Sequence, residues 1–468
     1  MRKNPAAVFL SRAAGLGLSL AALSACSLMP TYERPAAPVA ADWPSAPASA
    51  TPGVPAADLR WSDFVRDDRL RQLLALALQN NRDLRIATLN IEQVRALYQI
   101  RHADRLPTLN AVAAGNRQPA SGGGISNSFS VGLAMSSWEI DFFGRIASLK
   151  EAALAQYLAS EEARHAAQTS LVAAVSSTWL SLQASEALLA LTQRTLGTRD
   201  ESLRLIRLRF DNGATSALDL RQAESLSAAA RVTQAQLQRQ RALDLNALTL
   251  LVGQPLTAAL LQPGAEPQST GLFSELQAGL PSDLLTRRAD IRQAELLLLA
   301  SNAQIGAARA AFFPRIALTA SVGTASSELS NLFQSGSWGF TLAPQALLPI
   351  FDAGRNQAGL DTARANRGLA LAQYEKAIQV AFREVADALA SSATLGEQLT
   401  AQQAQSSAEA ERFRLAELRY RNGVSSFLDV LDAQRALFAS QQALVQTRLA
   451  QQQNQVALYK TLGGGWTP

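Results

Sequence analysis

Apolar residues along this chain recur mostly at helical spacing, and the interruptions fall at two sets of corresponding places. From Leu70 to Arg105 the pattern is helical and Pro107 ends it; from Ser282 to Phe312 it is helical again and Pro314 ends it. Each tract is followed by two short alternating segments among Gly, Ser and Thr: TLNAVAAGN and SFSVGLAMSSW around SGGGISN, then RIALTASVG and WGFTLAPQALL around TASSELSNLFQSGS. Alternation bounded by such loops predicts a β-hairpin in each place. After Gly144-Arg145 and Gly354-Arg355 helical sequence resumes for about 65 residues, on the order of 100 Å of helix. Gly197, Gly368 and Gly396 weaken these tracts without breaking them. Ala214–Val252 and Val424–Leu462, free of Gly and Pro, run back.

The correspondence is a tandem repeat. A shift of 210 lays Leu208–Gly253 on Leu418–Gly463 without a gap, and a shift of 207 lays Asp83, Arg85 and Pro107 on Asp290, Arg292 and Pro314. The expected organisation is a first copy at 61–255, a connector at 256–280, a second copy at 281–465 and a short end at 466–468. The hairpins fall at 107–138 and 314–348, and the long helices turn back near 211–219 and 421–429.

Those turns carry one shared frame, N-G-x-x-S-x-x-D. Gly213 and Gly423 suit the left-handed residue that closes a helix. Ser216 with Asp219, and Ser426 with Asp429, have the spacing of a capping box that starts the next helix. Each copy thus ends in a tight helical hairpin at the far end of its long helix. The copies differ beside the frame: Phe210 becomes Tyr420, Asp211 becomes Arg421, Gln222 becomes Asp432 and Ser225 becomes Arg435. If the hairpins alternate round a ring, Asp211 and Arg421 are placed to pair across the seam, and Asp432 is an acid that only the second copy supplies.

The N-terminus changes the picture from a helical protein to an exported one. Arg2, Lys3 and Arg12 precede an apolar run from Ala13 to Leu23, too short to span a bilayer as a helix. The run ends in LSAC, the pattern of a lipoprotein signal over 1–25 with acylation of Cys26, the one cysteine of the chain. Acyl chains there would anchor the protein durably, and in the lipoproteins whose signals this one resembles, Ser27 in second place, rather than Asp, favours the outer membrane. Seven prolines between Pro30 and Pro55 make 26–60 an arm, read as a tether. The net charge of +5 is thin over 468 residues and scattered along helical faces, so no nucleic-acid surface is indicated.

Two hairpins supply four strands, too few to close round a water-filled lumen. An open edge is not tolerated in lipid, so several chains must contribute, and three give twelve strands. Trp138 and Trp338 flank the strands where interfacial aromatics sit. At this point the chain resembles the TolC-like outer-membrane factors of tripartite efflux pumps, in their OprM-type (NodT-type) lipoprotein branch. The resemblance rests on LSAC, WEIDFFGR, GLPSDLLTRRADI, IGAARAAFFPRI, AQYEKAIQVAFREVADALA, RYRNGVSSFLDVLDAQR and ALYKTLGGGW.

The resemblance implies a mainly α fold with a small β part: a homotrimeric twelve-stranded transmembrane β-barrel continuing into a long periplasmic α-helical barrel. An equatorial belt would come from parts of 256–280, the C-terminus and the arm. It implies an exit duct in the outer membrane for antibiotics and other small toxic compounds, served by a periplasmic membrane-fusion adaptor and an inner-membrane RND transporter. On the matching positions, Leu428 and Asp432 are the constriction candidates and Tyr420, Arg421 and Arg435 their gate partners. Gly213, Ser216, Asp219, Gly423, Ser426 and Asp429 would form the adaptor-docking tip. Beyond diacylglycerol and fatty acyl groups on Cys26 no cofactor is expected, and no metal. An acidic ring at the tip would favour cations.

No enzyme is indicated. The two histidines, His102 and His165, lie in helical tracts, and DFFGR at Asp141–Arg145 lacks the other kinase signatures. The same fold serving type I protein secretion or metal export is the nearest alternative, and a helical lipoprotein without a pore the remoter one.

Overall fold

The computed structural model describes residues 27–40, 42–43, 54–119, 122–257, 260, 271–277 and 283–466. The expected signal segment, Cys26 and most of the connector lie outside them. In chain order the elements are β1 (Val54–Pro55), α1 (Trp61–Phe64), α2 (Asp68–Asn80), α3 (Arg82–Ala103), β2 (Leu109–Pro119), β3 (Ile125–Ile140), α4 (Arg145–Asp211), α5 (Ala217–Val252), β4 (Leu276–Gln277), α6 (Leu284–Arg287), α7 (Ala289–Ala310), β5 (Arg315–Ser326), β6 (Trp338–Leu347), α8 (Arg355–Arg421) and α9 (Phe427–Thr461). Both long helices run 67 residues unbroken past their glycines.

The helix expected over 70–105 is instead two. The chain is extended at Asn81, whose Oδ1 accepts from Leu84 N at 2.9 Å and so caps α3. Its Nδ2 donates to Leu251 O at 2.9 Å. The second copy breaks at the matching Arg288, again extended. The repeated glycines Gly253 and Gly463 explain the coincidence. Each closes a helix at positive φ, and a Cβ would lie 2.4 Å from Asn80 O at the first and 3.0 Å from Arg287 O at the second. The helix ends and the breaks abut backbone to backbone, so neither place admits a larger residue.

The chain divides into two compact units, each drawing on both copies. One comprises residues 1–37, 89–161 and 293–376 and holds a four-stranded antiparallel sheet in the order β2-β3-β5-β6. Leu109 faces Met135 in the first hairpin, and Ile316 faces Ala346 in the second. Between Met135 and Trp138 the register shifts by a β-bulge, with Ser137 at φ 49. Gly132 faces Gly323 where the hairpins meet. A Cβ on either would lie 2.3 Å from a carbonyl of the opposite strand, so the backbones approach there as only glycine permits.

The first described part of the arm is a strap rather than a free tether. Pro30 O accepts from Asn302 Nδ2 at 2.8 Å and Leu28 O from Arg309 Nη1 at 3.1 Å, both on α7. Arg34 grips Glu295 with two bonds of 2.7 and 2.8 Å, and Gly306 leaves room for Met29. Irregular backbone keeps its carbonyls free to accept, which is why this stretch can be tied down without secondary structure.

The other unit comprises residues 38–88, 162–292 and 377–468. Leu70, Leu73 and Leu74 of α2 are fully buried, each contributing on the order of 1.5–3 kcal/mol. Phe64 stacks on Phe273 and on Tyr459, with ring centres 4.9 and 4.0 Å apart. Strands β1 and β4 pair in parallel. Gln168 donates to Gly465 O at 3.0 Å, and Gly464 lies against the Tyr459 ring where a side chain would collide. These contacts tie the C-terminal glycines into the segments expected to form a belt.

Candidate functional site

The two helical turns are built alike in backbone and differently in side chains. Gly213 and Gly423 stand at φ 71 and 72, and their N–H groups donate back to Phe210 O and Tyr420 O at 2.9 and 3.0 Å. In the first turn the capping box forms. Ser216 Oγ accepts from Asp219 N at 3.1 Å, and Asp219 Oδ2 accepts from Ser216 N at 3.3 Å. Ser216 Oγ and Thr215 Oγ1 also donate to that oxygen, at 2.7 and 2.8 Å, which holds the Asp219 carboxyl below its ordinary range. In the second turn Ser426 is extended as required but makes no side-chain cap, so the box expected with Asp429 is not formed. Ser425 stands where Thr215 stands, and its Oγ is buried without a partner among the described residues. Thr215 is β-branched and stiff, and its hydroxyl helps hold the acid; serine lacks that restraint.

The remaining gate candidates are tied within the chain. Asp432 accepts from Arg412 Nη2 and from Arg435 Nη2, each at 2.5 Å, and Arg412 also reaches Glu409 at 3.1 Å. The bonds from Arg412, then Arg435, hold the Asp432 carboxyl below its ordinary range. The expected acidic group is therefore charge-balanced by its own chain. Arg421 is bound to Glu417 at 2.6 Å and, among the described residues, makes no ion pair with Asp211. Leu428 is 53% exposed at the start of α9. A groove of about 580 Å³ is lined by Glu411, Arg412, Arg419, Ser425, Asp429 and Asp432.

Sequence reasoning missed Arg412 and Arg209 as partners. Arg412 and Asp432 lie ten residues either side of Asn422, the spacing at which an antiparallel helical hairpin brings residues together. Arg209 of the first copy donates to the Tyr420 hydroxyl of the second, its guanidinium 5.3 Å from the ring centre. Phe427 packs on the Ile206–Leu220–Ala223 cluster of α4 and α5.

The sheet is a second candidate. Partners across strands share a face and alternate residues change face. The register therefore gathers Phe129, Val131, Leu133, Met135, Val322, Phe340 and Leu342 on one face and Ser126, Ser128, Ser130, Ser321 and Thr341 on the other. Trp338 and Trp138 also lie on the apolar face, opposite Thr324 and Leu318, six residues or about 20 Å apart along β5. The bulge keeps Trp138 on that face. Glu139, on the polar side, binds Arg145 at 2.7 Å and Arg315 at 2.6 Å. Among the described residues no helix is long and apolar enough to cross a membrane.

With this geometry in place, comparison with known proteins is specific. Residues 73–254 and 280–464 match the family described as outer membrane efflux protein, one match per copy. The toluene efflux pump outer membrane protein TtgC of Pseudomonas putida is 47% identical over 454 residues, covering 95% of this chain and 93% of the relative. Outer membrane protein OprJ of Pseudomonas aeruginosa is 48% identical over 453 residues, covering 95% and 94%. The open-state crystal structure of the Neisseria gonorrhoeae MtrE outer membrane channel superposes with a TM-score of 0.87 at 41% identity, covering 94% of this chain and 99% of that one.

Proposed function

The chain belongs to the outer membrane efflux protein family, and on that premise we propose that it is the outer-membrane exit duct of a tripartite multidrug efflux pump. The observation that carries this reading is the four-stranded sheet with one apolar and one polar face, whose end strands β2 and β6 each leave an edge open. In lipid such edges must be paired. Three copies bring twelve strands, four from each, and close a barrel with the apolar face toward lipid and the Ser- and Thr-lined face toward a water-filled lumen. The long helices α4, α5, α8 and α9 form the periplasmic continuation. Their turns form the tip, which the adaptor of an inner-membrane RND transporter engages.

Transport through the duct is passive, and no catalytic step belongs to it. Each tip residue acts by charge and packing. Arg412 and Arg435 neutralise Asp432, Arg209 holds Tyr420, and Leu428 offers an exposed apolar side chain at the narrowing. Adaptor binding opens the tip by binding its open form more tightly. Acylation of Cys26 anchors the strap, a reading supported by LSAC and by the way the next residues are tied to α7. Cargo comprises antibiotics, solvents and related small toxic compounds.

Reconstitution of the purified protein in planar bilayers should give stable single-channel currents from a trimer. Absence of conductance from folded trimer would remove the channel reading. Deletion of the gene should sensitise cells to unrelated antibiotics and solvents; sensitivity to metals alone would redirect the assignment to metal export.

A further inference from the structure

Arg199 of α4 is 4% exposed, yet among the described residues no carboxylate compensates it. Its Nη1 donates to Leu226 O of α5 at 2.9 Å, its guanidinium carbon lies 5.1 Å from the centre of the Phe438 ring of α9, and its Nε is buried without a partner. Burial alone lowers its pKa, with no charged neighbour opposing. The neighbouring Asp200 is occupied elsewhere, bound to Ser227 and, at 3.3 Å, to Arg231. The second copy does not reproduce the arrangement. Glu409 stands at the position matching Arg199, and in the first copy Ala228, with no ring, stands at the position matching Phe438. The contact therefore belongs to one seam only, where the first copy's hairpin meets α9 of the second.

A desolvated cation over an aromatic ring gains some of its lost hydration energy back from the ring, but not all of it. Parting α9 from α4 restores water to the guanidinium, so separation is less costly here than at an apolar contact of the same size. From these contacts we infer that Arg199 is a positioning residue that biases the α4–α9 seam toward release, with Phe438 as the latch that holds it shut. The inference rests on the proposed reading that the tip opens by separation of the helical hairpins.

The two residues then act in opposite directions, which a purely structural role does not produce. Phe438→Ala removes the latch and leaves the charge, and should raise open probability in planar bilayers. Arg199→Met keeps the stem, removes the buried charge and fills the seam, and should lower open probability by about fivefold, as apolar replacement of an uncompensated buried ion favours the packed state. Arg199→Gln, a smaller change, should shift it the same way and serves if the Met variant fails to assemble. An increase in open probability with both Arg199 variants, or no change in either, overturns the inference. Wild-type trimer that conducts nothing sinks the channel reading itself, whatever the variants do.

Discussion

Arg209 of the first repeat lies over the ring of Tyr420 of the second and donates to its hydroxyl, joining the ends of the two long helices at the turns. Arg209→Ala removes both contacts and Tyr420→Phe only the hydrogen bond. A cation–π contact at an exposed site contributes about 0.5–1 kcal/mol, so Arg209→Ala should raise basal open probability about two- to fivefold. Tyr420→Phe should raise it less. Single-channel recording of the two variants checks the order; equal effects would mean that the ring face contributes nothing.

The paired arginines around Asp432 change the expected selectivity. Asp432→Ala leaves Arg435 without its carboxylate and Arg412 with Glu409 alone, and should shift the channel toward anions, whereas Arg435→Ala should raise its cation preference. Reversal potentials in a salt gradient distinguish the two. Because its carboxyl titrates below the ordinary 3.8, the Asp432 clamp is fully present above that value and is lost only as pH falls through the lower folded value. Selectivity should hold constant from pH 7 to pH 5 as far as this group decides it.

The unequal caps predict unequal sensitivity. Ser216→Ala should cost about 1 kcal/mol of local stability, the usual worth of an N-cap, and speed hydrogen exchange in the first turn of α5. Ser426→Ala should leave the first turn of α9 nearly unchanged, since its hydroxyl makes no cap there. Equal acceleration in both turns would show that the second box forms in the assembled protein.

Pairing between chains can be calculated from the repeat. Met135 faces Ala320 where the two hairpins meet within a chain. Their counterparts in the other copy are Ala346 and Ala113. The same register places Ala346 of one subunit opposite Ala113 of the next, with both on the apolar face. Ala113→Cys with Ala346→Cys should form intersubunit disulfides, because directly opposed strand residues lie within disulfide reach. Ala111→Cys with Ala346→Cys, two residues out of register and roughly 7–8 Å apart, should not. Non-reducing gels of oxidised membranes separate the outcomes.

The element order was legible because it is written twice and each period is unambiguous. Helical spacing gave α4 and α8 almost to the residue, and the alternation gave the hairpins. The loops were less clear: Ile125, Ser126 and Asn127 read as loop beside three glycines but pair in β3 with Pro119, Gln118 and Arg117. The break at Asn81 was hidden, because an extended residue between two helices leaves no trace in a helical period. At the turns the backbone frame was readable from Gly and Ser, while the partners of Asp432 and Tyr420 were not. Those depend on which side chains an antiparallel hairpin brings together, and on contacts between copies far apart in sequence. The shared frame also overstated the likeness of the turns, since replacement of Thr215 by Ser425 accompanies loss of the cap.

The bulge in β3 is a correction of phase. Met135 and Trp138 are three residues apart, yet their partners Ala320 and Leu318 are two apart, so the extra residue is absorbed between them. Deleting Ser136 or Ser137 would remove the bulge, restore unbroken pairing and keep Trp138 opposite Leu318. Ironing the bulge flat with both serines retained would instead turn the rest of the strand over, carrying Trp138 to the Ser- and Thr-lined face and Glu139, with its two arginines, to the apolar one. The strand therefore tolerates losing one of these residues better than losing the bend that accommodates it.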